Sequence, residues 1–421
     1  MKKLFIAGLL IRLILVFVSQ FHPDILNHVD WGNRFWLYGP KDFYEQIFWG
    51  VSWPNQPLGS ICLFGFIAKL YQLIFSSLWW LNLKIGLFPS FIFPFLETKF
   101  HIILLKLPFV LVDLGIGGLI YKIVLEMTKK KKAAILAAGL FLFNPALIYN
   151  STIWGQTDSL VNFLALLGIY QFFKKKYFSG IFVFFLGFYF KISLIIWFPI
   201  AALIIWKNKN FKKIIIPLIL NTLFFILISL PFVHHGNVFS WLWYLYTNRI
   251  LSRQGNMLSG NAFNFWTLIY GIDFSLKESI AFFGVTARTF GRLLTAFFAL
   301  IPTVFFVKKK RNDFTDFLWL IILFSFASFL FLTNMHERYL YPIFAPLAIL
   351  TAAGKINFKY YLILSLVHLL NLYNLWWYPK IGFLKAFLEF NNFLTARLFS
   401  LVLIFIFSSL LVSYNRANEK K

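Results

Sequence analysis

The segment FLWLIILFSFASFLFL, residues 317–332, is followed directly by TNMHERYLYP, residues 333–342. The first segment contains no charged residue, and a helix needs about 20 mostly apolar residues to cross a bilayer. The second segment then places His336, Glu337 and Arg338 side by side. Charged residues at the end of a span often mark only where water begins. This triplet therefore indicates either a membrane boundary or chemistry at the membrane surface.

The rest of the chain has the same apolar character. Of its 421 residues, 60% are hydrophobic and only 13% are charged, whereas about a quarter are charged in soluble proteins. This composition predicts a polytopic membrane protein. The single cysteine, Cys62, excludes an internal disulfide, and no Cys/His spacing indicates a zinc site. The net charge of +25 does not indicate a nucleic-acid partner, because the Lys and Arg residues are dispersed between apolar runs.

The first twenty residues, MKKLFIAGLLIRLILVFVSQ, have the basic start and apolar middle of a signal peptide. However, Arg12 interrupts the apolar core and no small-residue cleavage site follows. We therefore expect this segment to be retained as the first membrane span.

Hydropathy predicts an all-α transmembrane bundle of about 12 spans, with a range of about 11 to 14. Residues 58–82 and 85–96 are also apolar, and we expect them to form surface or re-entrant helices in the first loop, or two further spans. The predicted spans are 4–20, 102–124, 133–149, 158–173, 177–190, 192–206, 213–231, 286–307, 314–332, 341–354, 358–377 and 394–414.

The basic clusters predict the orientation of this bundle. With these spans they all fall on one side, which the positive-inside rule identifies as the cytoplasm. Both termini are then cytoplasmic, and the long loops 21–101 and 232–285 lie outside a plasma membrane. We expect one membrane domain, 1–421, that acts on the extracytoplasmic face. The basic clusters are 2–3, 129–132, 174–176, 207–213, 308–311, Lys355 with Lys359, and 416–421.

The first outer loop begins with HPDILNHVDWGNRFWLYGPKDFYE, residues 22–45. Asp24 follows the first span by a few residues, and Asp30 lies six residues further on. A carboxylate just above the bilayer can accept a proton from a hydroxyl nucleophile, which is the role of a general base. A solvated loop acid or a helix cap is the alternative interpretation.

Two further stretches are predicted on the same side of the membrane. NPALIYNSTIWGQTDSL, residues 144–160, carries Trp154, Gln156 and Asp158, and could equally be a turn with an N-capping aspartate. SGNAFNFWTL, residues 259–268, has amides and Trp266 that could line a sugar site or simply lie at the interface.

Ionisable residues also occur within or beside the predicted spans. Lys106 and Asp113 are seven residues apart, and so share one helix face, while Lys191 interrupts FYFKISLIIWFPI. Such groups are costly in a membrane and usually face a cavity or a partner. Because both lysines lie near outer ends of spans, snorkelling explains them equally well.

Together these stretches resemble the GT-C superfamily of integral-membrane glycosyltransferases. They are most similar to bacterial and archaeal mannosyltransferase-like proteins related to the enzyme that adds the second mannose of GPI anchors. The similarity covers about residues 20–345. The matching motifs are Asp24, Trp31, Gly39 and Tyr44 in register, NPA with WGQTDS at 144–146 and 154–159, NAFNFW at 261–266, and MHERY at 335–339.

The resemblance implies transfer of a sugar, with inversion, from a polyprenyl-phosphate donor to a hydroxyl of a lipid, glycan or protein acceptor. Asp24 is then the general base. The departing phosphate needs positive charge, for which the candidates are Arg338, His336, Lys191 and Lys106. The expected substrate-binding residues are Asp30, Trp31, Tyr44, Trp154, Gln156, Asp158, Asn261, Asn264, Trp266 and Glu337. No metal ligands are predicted, and the sequence does not decide whether a divalent metal is needed.

One motif of this family is missing. The family usually has a DYPP-like segment late in the first loop, where this chain has Asn55, Gln56, Pro57 and Leu58. Recognition of the acceptor and of the particular sugar therefore stays open. A lipid or sugar transporter and a non-catalytic subunit of a glycan-assembly complex are the alternatives. A transporter would be favoured by paired, broken spans in two similar halves, which the sequence lacks.

Overall fold

A computed structural model describes residues 1–19, 22–46, 52–208, 212–251, 255–309 and 313–419, and these ranges are nearly all helical. The first half contains α1 (Lys2–Val18), α2 (Pro23–Asp42), α3 (Leu58–Lys84), α4 (Phe93–Phe95), α5 (His101–Thr128), α6 (Lys131–Leu142), α7 (Pro145–Ile148), α8 (Asp158–Phe173) and α9 (Tyr177–Phe190). The second half contains α10 (Phe198–Asn208), α11 (Lys212–Ser229), α12 (Val238–Tyr244), α13 (Phe265–Tyr270), the antiparallel strands β1 (Ala281–Phe282) and β2 (Val285–Thr286), α14 (Ala287–Lys308), α15 (Phe314–Phe331), α16 (Phe344–Ala352), α17 (Phe358–Tyr373) and α18 (Gly382–Glu419).

Shorter helical turns connect these elements. The π-helical turns are Leu96–Phe100, Tyr149–Trp154 and Leu245–Leu251, and the 3-10 turns are Ser90–Ile92, Ile192–Trp197, Leu230–Phe232 and Glu337–Ile343.

Six helical stretches in the described ranges are long and apolar enough to cross a membrane, or eight if two bent pairs each count as one span. The α-helical membrane class is thus supported, whereas the count of twelve stays a prediction. Helices do form at the predicted spans 158–173 and 177–190, but they have fewer than 18 residues. The six stretches are Leu58–Lys84, Ser90–Thr128, Lys212–Phe232, Ala287–Lys308, Phe314–Phe331 and Gly382–Arg416.

The helix α2 follows α1 and differs from it in composition. It contains five charged residues, whereas the core of α1 contains only Arg12. Five charges in twenty residues are typical of a helix outside the hydrocarbon core, because ionisable groups are costly there. This composition distinguishes α2 from the long apolar helices of the chain.

Burial divides the spans into central and peripheral helices. The span of α15 is 94% buried, and its sequence is apolar on all sides, as expected for a helix enclosed by others. The span of α14 is only 17% buried, so most of its side chains face the surroundings of the protein. The MHERY segment, residues 335–339, begins four residues after the end of α15.

A buried polar network joins α1 and α5 to the segments that carry the predicted motifs. Arg12 Nε lies 2.9 Å from Asp113 Oδ2, and both side chains are fully buried. Ser151 Oγ donates to the same carboxylate at 2.6 Å, and the Tyr341 hydroxyl donates to its other oxygen at 3.3 Å. The network thereby fixes the 149–154 and 337–343 turns relative to α1.

Candidate active site

A cavity of about 1160 Å³ opens where the ends of several helices meet. This volume is slightly above the roughly 300 to 1,000 Å³ of sites for one small ligand. Each of the four stretches singled out in the sequence contributes to its wall. The lining residues include Asp24, Gln156, Asn261 and Arg338, together with Lys191.

The HPD sequence explains the position of Asp24. Pro23 occupies the first turn of α2, where its missing N–H and fixed φ are favourable. His22 caps the helix, because its Nδ1 accepts a hydrogen bond from the Asp24 backbone N–H at 3.1 Å. The Asp24 carboxylate therefore lies at a helix N-terminus, where the helix dipole stabilises negative charge. The alternative interpretation of Asp24 as a helix cap is wrong, because His22 is the cap.

The WGQ sequence brings Gln156 to this carboxylate. Gly155 ends the π-helical turn with φ of 87°, and a β-carbon there would lie only 2.6 Å from Ile25 Cδ1 on α2. Only glycine allows both the left-handed backbone and this close approach. The next side chain, Gln156, donates from Nε2 to Asp24 Oδ2 at 2.5 Å.

Lys191, which lines the cavity, forms an ion pair with Asp158, which is not among the lining residues. Lys191 lies at an extended break between α9 and the 192–197 turn, and its Nζ is 2.6 Å from Asp158 Oδ1. Asp158 is the first residue of α8, and its carboxylate binds Lys191 instead of capping the helix. The ion pair with Asp158, not snorkelling, therefore explains the position of Lys191.

The MHERY segment leaves the helical path before it reaches the cavity. The Gly260 backbone N–H donates to Met335 O at 2.9 Å, and His336 pairs in a β-bridge with Gly260 and Asn261. A β-carbon at Gly260 would lie 2.9 Å from the His336 ring. The 259–268 stretch therefore positions the MHERY segment.

Arg338 lies among three carboxylates. Its Nη1 is 3.1 Å from Glu337 Oε1 and 3.9 Å from Asp24 Oδ2, and its Nε is 4.0 Å from Asp158 Oδ2. Burial alone would lower the pKa of Arg338, but Tyr339 and these acids raise it above its ordinary value. Arg338 is consequently charged at every physiological pH.

The same charges act on Asp24. Burial opposes ionisation of Asp24, but Arg338, the neighbouring His22 and His28, and the Gln156 hydrogen bond together lower its pKa below the usual 3.8. Burial also lowers the pKa of His22 to about 4. Asp24 is therefore a carboxylate near neutral pH, beside a neutral imidazole.

Burial shifts the pKa values of Glu337 and His336, the other two charged or titratable groups of the HER triplet, in opposite directions. Burial raises the pKa of Glu337, with Arg338 opposing the shift. Burial lowers the pKa of His336 to about 3, and Arg338 lowers it further. His336 is therefore neutral near pH 7.

Aromatic rings surround the entrance to Asp24. The His22 ring lies 4.2 Å from the Trp154 ring and 4.5 Å from the Trp376 ring, and Arg338 lies 5.7 Å from Trp154. Trp31 also lines the cavity and donates from its indole to Ser52 O. Flat apolar rings beside carboxylate and amide groups suit a ligand that has apolar faces and hydroxyl edges, such as a sugar.

Several predicted residues lie away from the cavity. The Asp30 carboxylate is bound by Arg34 Nε at 2.8 and 2.9 Å, and the Tyr44 hydroxyl donates to Gln56 O at 2.8 Å. Lys106 Nζ donates to Ser19 Oγ and to Ile153 O, both at 2.9 Å. These three side chains are placed to support the walls and do not line the cavity.

The NAFNFW stretch is mainly structural. Asn264 and Trp266 have no exposed surface. Asn264 caps α13, and the Trp266 indole donates to Phe331 O at 2.8 Å. The expected sugar contact of these two residues is therefore replaced by a role in fixing α13 against α15. Asn261 does reach the cavity wall, where its side chain exchanges hydrogen bonds with Asn374 at 3.0 and 2.7 Å.

The cavity residues that the sequence analysis does not single out include His22, which begins the HPD stretch, and Trp376, which follows α17 in the sequence NLWWYP. The available signal was position, since Trp at the outer end of a predicted span falls on the same face as the four motifs. Within the described ranges, no group of three or more His, Cys, Asp or Glu side chains is arranged to hold a metal ion.

Comparison with known proteins adds no assignment. The chain matches no protein-family model, and no curated protein is significantly similar to it.

Proposed function

We propose that this chain is an inverting membrane glycosyltransferase of the GT-C type, with Asp24 as the general base. The observation that carries the proposal is the Asp24 carboxylate on the wall of a large cavity, held by Gln156 at 2.5 Å and beside Arg338 at 3.9 Å. A base must be unprotonated and within reach of its substrate. The lowered pKa of Asp24 and its place on the cavity wall support this role.

In the proposed reaction, the acceptor hydroxyl gives its proton to an Asp24 carboxylate oxygen. The hydroxyl oxygen forms a bond to the anomeric carbon of the donor sugar, and the bond between that carbon and the phosphate oxygen breaks. The electron pair of the broken bond leaves with the lipid phosphate. Attack from the side opposite the phosphate inverts the anomeric centre. Gln156 orients Asp24, and Trp154 offers an apolar face to the sugar.

We further propose that about twelve segments cross a plasma membrane, that both termini are cytoplasmic, and that the cavity faces outward. The distribution of basic clusters supports this orientation. A donor with a polyprenyl tail would then approach from the outer leaflet.

Cysteine labelling in intact cells tests this orientation. In a Cys62→Ala background, Asp273→Cys should react with an impermeant maleimide, whereas Lys130→Cys should react only after permeabilisation. Both positions are exposed, so lack of reaction would report the side of the membrane and not burial. Labelling of position 130 but not 273 in intact cells would reverse the orientation.

The pH profile tests the coupling of Arg338 to Asp24. The acid limb of kcat/KM reports the base of the free enzyme, and in the wild type we expect it on the acid side of the ordinary aspartate pKa, because the Asp24 pKa is lowered. In Arg338→Gln the favourable charge is lost, so the Asp24 pKa should rise and the limb should move to higher pH.

Arg338→Lys is the matched control for this profile. It keeps the positive charge, so its limb should stay close to that of the wild type even if turnover falls through loss of the planar guanidinium. Superimposable profiles of the Gln variant and the wild type would show that Arg338 does not set the ionisation of Asp24.

A further inference from the structure

The cavity has a second charged region, formed by Arg288 and Arg292 in the first turns of α14. The two residues are four positions apart and therefore lie on one face of the helix. Both line the cavity. In the proposed orientation they lie at the outer end of a span, where the positive-inside rule does not explain them.

The outer region carries excess positive charge. Arg288 forms an ion pair with Glu278, whose other oxygen accepts a hydrogen bond from Thr333 Oγ1 at 2.6 Å. Among the residues that the structure describes, Arg292 has no acidic partner within 4.0 Å. Two arginines and one glutamate leave one positive charge free to attract an anion.

The inner region around Asp24 has the opposite balance. Its ion pairs join the cations Lys191 and Arg338 to the carboxylates of Asp24, Asp158 and Glu337. Two cations therefore face three acids. A phosphate placed there would meet groups that are already paired, and buried charges without free partners are costly.

The surface of α14 connects the outer region to the membrane. Only 17% of this span is buried. An exposed apolar stripe begins beside Arg292 and runs down the helix at positions three and four apart, which suits contact with a lipid chain. A lipid lying along this stripe would bring its head group to the level of the arginine pair, about a third of a turn around the helix. The stripe comprises Leu293, Phe297, Leu300 and Val304.

We propose that Arg288 and Arg292 bind the phosphate of a polyprenyl-phosphate substrate that reaches the cavity along α14. This proposal rests on the proposed transfer function, which requires such a lipid. Arginine suits the role because its planar guanidinium can donate two parallel hydrogen bonds to phosphate oxygens. Arg338 then stabilises the ionised form of Asp24 beside the sugar instead of binding the phosphate.

Ligand binding to the purified full-length chain in phosphatidylcholine nanodiscs tests this site. The probes are polyprenyl monophosphate, polyprenol with the same chain, and inorganic phosphate. The wild type should bind polyprenyl monophosphate at least about tenfold more tightly than polyprenol, since hydrogen bonds to charged groups contribute that much. Arg292→Gln should lose most of this preference, and Arg292→Lys should lose less.

Arg397→Gln is the matched control, because Arg397 also lies on a membrane helix but does not line the cavity. It should bind like the wild type. An unchanged preference for the phosphorylated lipid in Arg292→Gln would overturn the site and return Arg292 to ordinary contact with lipid head groups. Equal competition by inorganic phosphate and polyprenyl monophosphate would overturn the lipid as the source of the phosphate.

Binding is measured without sugar transfer, so the two proposals can fail separately. Binding that depends on Arg292 in a protein that transfers no sugar would support the site and contradict the enzyme. Sugar transfer together with binding that does not depend on Arg292 would support the enzyme and contradict the site.

Discussion

Asp24→Asn is expected to slow sugar transfer by about 100-fold to 10,000-fold, the range typical for loss of a general base. Asparagine keeps the shape of the side chain and can still bond to Gln156, which lies 2.5 Å from the carboxylate. It cannot take a proton from the acceptor hydroxyl. Donor binding should change little, so the loss should appear in kcat rather than KM.

Asp30→Asn is the matched control for this substitution. Asp30 lies on the same helix, but its carboxylate is held by Arg34 and does not line the cavity. We expect turnover within about threefold of the wild type, because partly exposed i, i+4 pairs contribute little. A dead Asp30 variant beside an active Asp24 variant would move the base to Asp30.

The second large effect is expected on stability. Asp113→Ala leaves Arg12 buried without its carboxylate partner and removes the acceptor for Ser151 and Tyr341. Removing one member of a buried ion pair costs about 3 to 5 kcal/mol. The free energy of unfolding, measured by SDS titration of the protein in mixed micelles, should fall by this amount.

The double variant Arg12→Met with Asp113→Leu separates the loss of charge balance from the loss of packing. It removes both charges and should recover most of the stability, because apolar replacement of a whole buried pair is often close to neutral. A double variant that is as unstable as Asp113→Ala would show that packing or hydrogen bonding at this position, and not an unpaired Arg12, causes the loss.

The residues around Asp24 could be predicted because each carries a local signal. Asp24 follows an apolar span and opens a helix with the HPD pattern, while Lys191 and Arg338 interrupt or end apolar runs. Ionisable residues in such places need a partner or a cavity. The structure brings these three residues together around one cavity wall.

The roles of the amide-rich NAFNFW residues could not be separated from the sequence. Asparagine caps helices and also binds sugars, and Trp266 would suit an interface, a core or a ligand site. Only the position of α13 against α15 decides that Asn264 and Trp266 are enclosed. The role of Asp30 could not be predicted either, because it depends on the ion pair with Arg34 one turn later.

The sequence also could not predict which residues pair across long distances along the chain, or how many segments cross the membrane. Arg12 and Asp113 are 101 residues apart, and the sequence pattern showed only that Asp113 shares a helix face with Lys106. Length and hydropathy locate apolar helices, but several of them are shorter than a typical span and bend at breaks. Whether a short helix crosses the membrane depends on its neighbours and its tilt.

The most direct test of the central claim is a transfer assay in membranes that contain the wild-type chain, supplied with a polyprenyl-phosphate sugar labelled in the sugar. The account predicts that the label appears in a new glycosidic product, and that Asp24→Asn reduces its formation by at least about 100-fold. Movement of the intact labelled lipid across the bilayer without bond formation would contradict the account, as would transfer that is unchanged in Asp24→Asn.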